Sequence, residues 1–192
     1  MIKFWCNSIL RVDSIYKANL SNSQQNTKIE KITINMRLKS IIDEPRTILY
    51  PLIGTKLITN QTPTVCKAKK SIASLKLRKG MLIGTKVTLR KNTAFNFLAT
   101  FIFIILPSNK EFNICRLNNK GCLSMELKNI FVFPQLNTFY ERFPKSVSST
   151  INIDLKIKNK NYSSLFFTGI LFLLNYYCTV FYTYAIRETN KG

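Results

Sequence analysis

The sequence predicts a single domain that mixes helices with strands. Segments with apolar residues at every second position alternate with segments of helical spacing along a chain of 192 residues, and a chain of that length can bury roughly 70 % of its unfolded surface in one core. Length allows one domain, or one domain plus a tail.

The elements follow in order. Residues 1 to 20 place Ile9, Leu10, Val12, Ile15 and Leu20 among bases, a short helix, before a polar loop from Ser21 to Thr27. Ile32, Ile34 and Met36 alternate with Lys31, Thr33, Asn35 and Arg37, the pattern of a strand with one wet face. Asp43 and Glu44 before Pro45 mark a helix start, with Ile48, Leu49, Leu52 and Ile53 as its core stripe and Pro51 expected to bend or end it early. Leu75 and Leu77 alternate with Lys76 and Arg78, a glycine-bounded stretch from Lys79 to Gly84 interrupts, and Val87 and Leu89 alternate with Lys86, Thr88 and Arg90. That pattern reads as strand, loop, strand, with Lys76 and Arg78 pointing together, as do Lys86, Thr88 and Arg90, while the leucines and the valine face a core, so that a basic sheet face results. Asn92 is placed to cap a helix whose Phe95, Leu98, Phe101, Ile102 and Ile105 face inward; Phe97, Phe103 and Ile104 make it apolar nearly all round, hence deeply buried. The run from Phe95 to Leu106 spans roughly 18 Å, too short for a bilayer core. Leu127 to Phe133 reads as a strand stopped by Pro134, an irregular stretch reaches Ser149, and Thr150 to Lys158 alternates without error. Finally, Asn161 to Ile186 is uncharged and long enough to cross a membrane.

Composition narrows the function. The chain carries 29 Lys and Arg against 9 Asp and Glu, a formal charge of +20, and no histidine. One-signed charge at this level favours a polyanionic partner, nucleic acid before an anionic membrane. Without histidine, the Ser-His-Asp and Cys-His nucleophile systems are absent, and the acids are scattered, so no catalytic constellation is assembled. Cys6, Cys66, Cys115, Cys122 and Cys178 contain no Cys-x-x-Cys pair, which offers neither a disulfide framework nor a thiolate zinc site. No cofactor or metal is expected. Ile, Lys, Asn, Phe and Tyr, residue types with AT-rich codons, dominate the chain, pointing to an organelle genome or an AT-rich bacterium.

From Pro45 to Lys110 the chain runs 66 residues without an acid while carrying twelve bases. A charge run is ordinarily a solvated face. Here the bases fall on alternate positions of strand-like segments, Thr88 and Asn35 add neutral hydrogen-bonding groups, and Gly80 and Gly84 allow close backbone approach, so nucleic-acid binding is the better reading. The aromatic residues lie mostly in apolar runs, which favours structured RNA over stacked single strands. Gly80-x-x-x-Gly84-Thr85-Lys86 has neither the spacing nor the order of a phosphate loop.

At these residues the sequence resembles the L-five family of large-subunit ribosomal proteins. The similarity lies in Lys31-Ile-Thr-Ile-Asn-Met36, in Gln61-Thr-Pro-Thr-Val-Cys-Lys-Ala-Lys-Lys-Ser71, and in Leu75-Lys-Leu-Arg-Lys-Gly-Met-Leu-Ile-Gly-Thr-Lys-Val-Thr-Leu-Arg90. Weaker similarity follows in Ile130 to Pro134 and Thr150 to Lys158. The resemblance implies an α+β domain, a curved antiparallel sheet backed by helices, over residues 1 to 176, followed by an extension over 177 to 192, with Ser163 to Leu174 as the family's last helix. It implies a structural role in the central protuberance of the large ribosomal subunit, binding 5S rRNA and large-subunit rRNA through Asn35, Gln61, Lys67, Lys69, Lys86, Thr88 and Arg90. Lys76, Arg78, Lys79, Gly80 and Met81 would contact transfer RNA in the peptidyl site, and neighbouring central-protuberance proteins would be further partners. Gly121-Cys-Leu-Ser-Met-Glu126 departs from the family pattern at the segment implied to bridge to a small-subunit head protein. The expected compartment is the mitochondrial matrix, with a plastid or bacterial cytoplasm as alternatives. The competing reading is a basic membrane subunit anchored by Ser164 to Ile186.

Overall fold

A computed structural model describes residues 2–19, 26–108, 113–117, 122–144 and 147–156. The expected last helix, the uncharged run from Asn161 to Ile186 and the 177 to 192 extension lie outside these residues. Among the described residues, no helix is long and apolar enough to cross a membrane.

Helix α1 (Ile2–Ala18) leads to strand β1 (Lys28–Arg37). Helix α2 (Leu49–Thr59), strand β2 (Thr64–Lys67), strand β3 (Leu82–Leu89) and helix α3 (Lys91–Thr100) follow. A π-helical turn (Phe101–Ile105) extends α3 without a break. Strands β4 (Asn113–Leu117) and β5 (Cys122–Leu127), the short helix α4 (Pro134–Asn137) and strand β6 (Ser148–Lys156) complete the described chain. The strands form one six-stranded sheet in the order β2-β3-β1-β6-β5-β4, with every pair antiparallel. This is the α+β domain that the family resemblance implies.

One sheet face is apolar and covered. Ile32, Ile34 and Met36 of β1 are fully buried, as is Ile151 of β6, and Val87, Leu89, Ile153, Leu155, Leu123, Met125 and Leu127 continue the same layer. Ala94, Phe97, Leu98, Phe101, Ile102 and Ile105 of α3 and its π turn join the core at three- and four-residue spacing. Opposite this layer, the alternate residues of each strand form the second face.

Several local expectations are corrected. Helix α1 buries Ile2, Cys6, Leu10 and Ser14, a stripe at strict four-residue spacing, whereas Ile9 and Val12 are exposed. Ser14 is tolerated because its hydroxyl bonds Asn26 Oδ1 at 2.6 Å. Pro51 neither bends nor ends α2: it sits in the first turn, where no helical N–H bond is forfeited. The buried side of α2 is Pro51, Gly54, Thr55 and Thr59, with Leu49 and Ile53 exposed. The Thr55 and Thr59 hydroxyls are satisfied by the Pro51 and Thr55 carbonyls at 2.8 and 2.7 Å.

Asn92 does not cap α3. The chain turns at Lys91 (φ +52°), which puts Arg90 at the cap position, while Asn92 Oδ1 accepts from Lys3 Nζ at 2.9 Å. The helix is buried on one side only, since Phe103 and Ile104 are exposed. Leu127 to Phe133 is not a strand: β5 ends at Leu127, and Ile130–Val132 forms a 3-10 turn capped by the Asn129 side chain, which accepts from the Phe131 N–H at 2.9 Å. The last described strand begins two residues earlier than its pattern, at Ser148.

Candidate nucleic-acid interface

The polar sheet face is built in cross-strand rows. Pairing of Thr64 with Lys86, Lys86 with Asn35, Asn35 with Thr150 and Thr150 with Glu126 makes one row across five strands. The next contains Thr88, Thr33, Asn152 and Ser124. Residues directly opposite share a face, so the register alone brings Asn35, Lys86 and Thr88 together. Thr33 is buried and Asn35 half-buried, while Lys86 and Thr88 are exposed. Neutral hydrogen-bonding groups therefore form a floor, and a cation stands at its rim.

Gly84 sets the spacing here. A Cβ at this position would be driven into the Met36 carbonyl oxygen, so glycine permits β3 to approach β1 closely, two residues along from the Asn35–Lys86 pair. The Thr64 hydroxyl donates to the Lys86 carbonyl at 2.9 Å and ties β2 to the same place. Arg90 lies two residues past Thr88 in an extended conformation (φ −138°, ψ 163°) and is exposed, which continues the alternation beyond the strand. Asn60 ends α2 in the left-handed region at φ +53°, and the turn delivers Gln61 to Thr93, 3.5 Å between Nε2 and Oγ1, at the start of α3. Lys67 closes β2, and Lys69 follows in the next segment, both exposed.

The two halves of this face differ in their ion pairs. On the β1-β6-β5 side, Arg37 pairs with Glu126 at 2.9 Å and Lys31 with Asp154 at 3.5 Å. Ser124 donates to Asn152 Oδ1 at 2.5 Å between them. On the β2-β3 side, none of the described ion pairs involves Lys67, Lys69, Lys86 or Arg90. Among the described residues no acid pairs with them, and an exposed cation free of an acid is the condition for phosphate contact.

Lys76 and Arg78 occupy a different setting from the one their alternation implies. Residues 68–81 form an arm, not a strand and loop. Its neck is closed by Ala68 N–H to the Met81 carbonyl at 2.8 Å and Gly80 N–H to the Ala68 carbonyl at 3.0 Å. Farther out, Ile72 and Leu77 exchange both backbone bonds at 2.9 and 3.1 Å, and Ala73–Leu75 makes a 3-10 turn. Lys76 adopts φ +52°, which breaks the alternation on which the strand reading depends. Gly80 at φ +92° uses the freedom only glycine has without strain. Lys76, Arg78, Lys79 and Gly80 are exposed and Met81 half-buried, its sulfur accepting from the Arg78 N–H at 3.1 Å.

The expected residues thus divide: register brings Asn35, Lys86 and Thr88 together with Arg90 just beyond them, Lys67 closes β2, Gln61 lies against the start of α3, and Lys69 falls on the arm with Lys76, Arg78, Lys79, Gly80 and Met81. Thr33, Thr64 and the two acids that neutralise β1 were missed. The alternation of β1 and β6 exposes Thr33 and Asp154 to view, but register alone shows what each one faces. No group of metal-binding side chains occurs among the described residues. Burial pushes the Cys6 thiol up to about 11. Burial, then hydrogen bonding to Asp154 and that carboxylate's charge, pushes Cys122 up to about 12, with Lys31 opposing. Both are held as thiols, unsuited to nucleophilic work near neutral pH.

The family model for Ribosomal protein L5 matches residues 22–78, and the model for the C-terminus of the same ribosomal family matches residues 82–171. The chain is 36 % identical over 170 residues to the large ribosomal subunit protein uL5m of Reclinomonas americana, covering 87 % of this chain and 93 % of that protein. It is 35 % identical over 144 residues to uL5 of Ruthia magnifica, covering 73 % and 79 %. With uL5 of Ruminiclostridium cellulolyticum it shares 35 % over 134 residues, covering 68 % and 73 %.

Proposed function

The chain belongs to the ribosomal protein L5 family, and from that premise we propose that it binds 5S rRNA in the central protuberance through the β2-β3 side of its polar face. As a member of that family it is a non-enzymatic structural component of the large ribosomal subunit. The observation that carries the finer reading is the pairing of charge on the sheet: among the described residues Lys67, Lys69, Lys86 and Arg90 meet no acid in an ion pair and accompany the neutral groups of Asn35, Gln61 and Thr88, while Lys31 and Arg37 on the other side are paired with acids. Cations at the rim suit phosphates, and the neutral floor suits ribose hydroxyls and base edges across a shallow RNA groove.

The arm extends the reading. Lys76, Arg78, Lys79, Gly80 and Met81 sit on an ordered projection whose form is fixed by its own backbone bonds, as a contact to peptidyl-site transfer RNA requires. We place the protein in the mitochondrial ribosome, beside neighbouring central-protuberance proteins. The similarity to a uL5m and the AT-type composition support that compartment. Residues 1 to 176 are assigned to the L5 domain and 177 to 192 to an extension. No bridge to a small-subunit head protein is proposed, since residues 122 to 126 lie within β5 and Glu126 is engaged by Arg37.

Crosslinking and sequencing of RNA from the native particle, comparing wild type with Lys86→Glu plus Arg90→Glu, tests this. Crosslinks to 5S rRNA that vanish in the double variant are expected. Crosslinks confined to other large-subunit rRNA would overturn the 5S assignment and keep the family role, and unchanged crosslinks in the double variant would overturn the assignment of the face.

A further inference from the structure

The tip of the 68–81 arm carries two apolar side chains where a purely ionic contact would need none. Ile72 is 43 % exposed and Leu75 is 56 % exposed. Both stand on backbone that is held in place. The Ile72–Leu77 exchange fixes the base of the turn, Leu75 N–H bonds the Ile72 carbonyl at 3.3 Å, Lys76 N–H bonds the Ala73 carbonyl at 3.0 Å, and Lys79 N–H bonds Ser71 Oγ at 3.0 Å. An ordered tip presents its side chains without a further ordering cost at binding.

The surroundings define what such a tip fits. Lys67, Lys69, Lys70, Lys76, Arg78 and Lys79 flank it with no acid in the segment, so the complementary surface is anionic at its border and apolar at its centre. A protein partner is disfavoured by size, because two side chains fall far short of the roughly 800 Å² per partner of a stable protein interface. A folded RNA offers the match: where its chain bends, a base pair ends a stack and leaves one flat face bare within a ring of phosphates.

We propose that Ile72 and Leu75 pack on an unstacked base face of a folded RNA while the flanking bases hold its phosphates. This rests on the reading of the arm as an RNA contact and adds two residues and a mode of recognition to it. A duplex without an exposed base face would meet only the cations, so the apolar pair would distinguish shape rather than sequence.

The test uses the full chain and two probes, a folded tRNA transcript and an uninterrupted RNA duplex of similar length, with affinity measured over a salt series. Ile72→Ser and Leu75→Ser are each expected to weaken binding to the tRNA transcript roughly 5- to 10-fold, the effect of removing a partly buried aliphatic side chain, with the salt slope and duplex affinity unchanged. Lys76→Ala plus Arg78→Ala should instead lower the slope, by roughly 0.9 for each duplex phosphate no longer neutralised. If the charge variant weakens tRNA binding and the serine variants do not, the tip grips phosphate alone and the inference falls while the arm reading stands. If none of the variants changes tRNA binding, the arm reading falls as well. Equal weakening on both probes by the serine variants would also overturn the inference, as would loss of a copurifying protein with tRNA affinity unchanged. Both serines replace exposed residues, so melting should stay at the wild-type temperature and exclude misfolding.

Discussion

Gly84→Ala should destabilise the domain, although alanine is the better residue for an ordinary backbone. Gly84 is buried and pairs with Arg37 across β1 and with Cys66 across β2. A methyl group there enters the Met36 carbonyl oxygen and lies 3.4 Å from the Met36 carbonyl carbon and 3.5 Å from the Arg37 Cα. All three are backbone atoms, so relief requires β1 and β3 to part. Roughly two ladder hydrogen bonds are then weakened at about 0.5–1.5 kcal/mol each, against about 0.4–1 kcal/mol gained because alanine restricts the unfolded chain. The net loss is about 1.3 kcal/mol at the middle of these ranges, or roughly 3–5 °C in melting temperature for a chain of this size. Gly54→Ala is the control: its methyl would make ordinary contacts of 3.4 Å with Met36 Sδ and Phe143 Cε1 inside α2, where alanine is favoured by about 0.5–1 kcal/mol. Thermal and urea unfolding of the two variants should therefore shift in opposite directions. A Gly84→Ala protein melting at or above Gly54→Ala would refute the close-approach argument. Because Asn35 and Lys86 pair two residues along the same ladder, RNA affinity should fall in Gly84→Ala even where the protein is fully folded.

Other outcomes can be read from single residues. Lys86→Ala should flatten the salt dependence of RNA affinity by roughly 0.9 in the logarithmic slope for a duplex contact, measured by filter binding from low to moderate salt. Ser149 is fully buried, and its hydroxyl has no hydrogen-bond partner among the described residues, so Ser149→Ala should leave stability unchanged or raise it by up to about 1 kcal/mol in urea unfolding. Alkylation of Cys6 and Cys122, followed by peptide mass spectrometry, should accelerate about tenfold per pH unit up to about 11 and about 12 respectively. The linkage sign is destabilising on the alkaline side: the unfolded thiols ionise near their ordinary value of 9.0 while the folded ones stay protonated, so stability is lost as pH rises from 9 toward 11 and 12. A pH-independent urea midpoint between 9 and 11 would contradict both assignments.

The sequence was most legible where one side chain type repeats at a fixed period. Ile32, Ile34 and Met36, and Ile151, Ile153 and Leu155, announce strands buried on one face, and the structure pairs those two segments side by side. The family resemblance was recognisable for the same reason, since its motifs fall on β1, β2, β3 and the arm. What periodicity could not convey was backbone sign. Lys76 at φ +52° converts an alternating Leu-Lys-Leu-Arg stretch into a turn, and Lys91 at φ +52° moves the start of α3, yet lysine gives no warning of left-handed geometry as glycine would. Strand β5 does carry alternation at Leu123, Met125 and Leu127, but it follows an Asn- and Lys-rich stretch that reads as loop. Within the site, Lys86 and Thr88 were visible as neighbours on one strand. Their juxtaposition with Asn35 depends on register, and the neutralisation of Arg37 and Lys31 depends on residues about 90 and 120 positions away.

The sheet order has a consequence for how the protein comes into being. Strand β1 emerges early in synthesis, but one neighbour, β3, is made only at Leu82–Leu89, and the other, β6, only at Ser148–Lys156. The surface assigned to RNA needs nothing beyond the first of these, so it can take shape while the opposite edge of β1 still lacks its partner. During that interval a strand bearing Ile32, Ile34 and Met36 presents open backbone groups, the arrangement by which nascent chains recruit one another into aggregates. With 29 basic residues against 9 acidic ones, half-made copies repel each other, and the charge that draws the finished protein to its polyanion also guards the unfinished one on the way there.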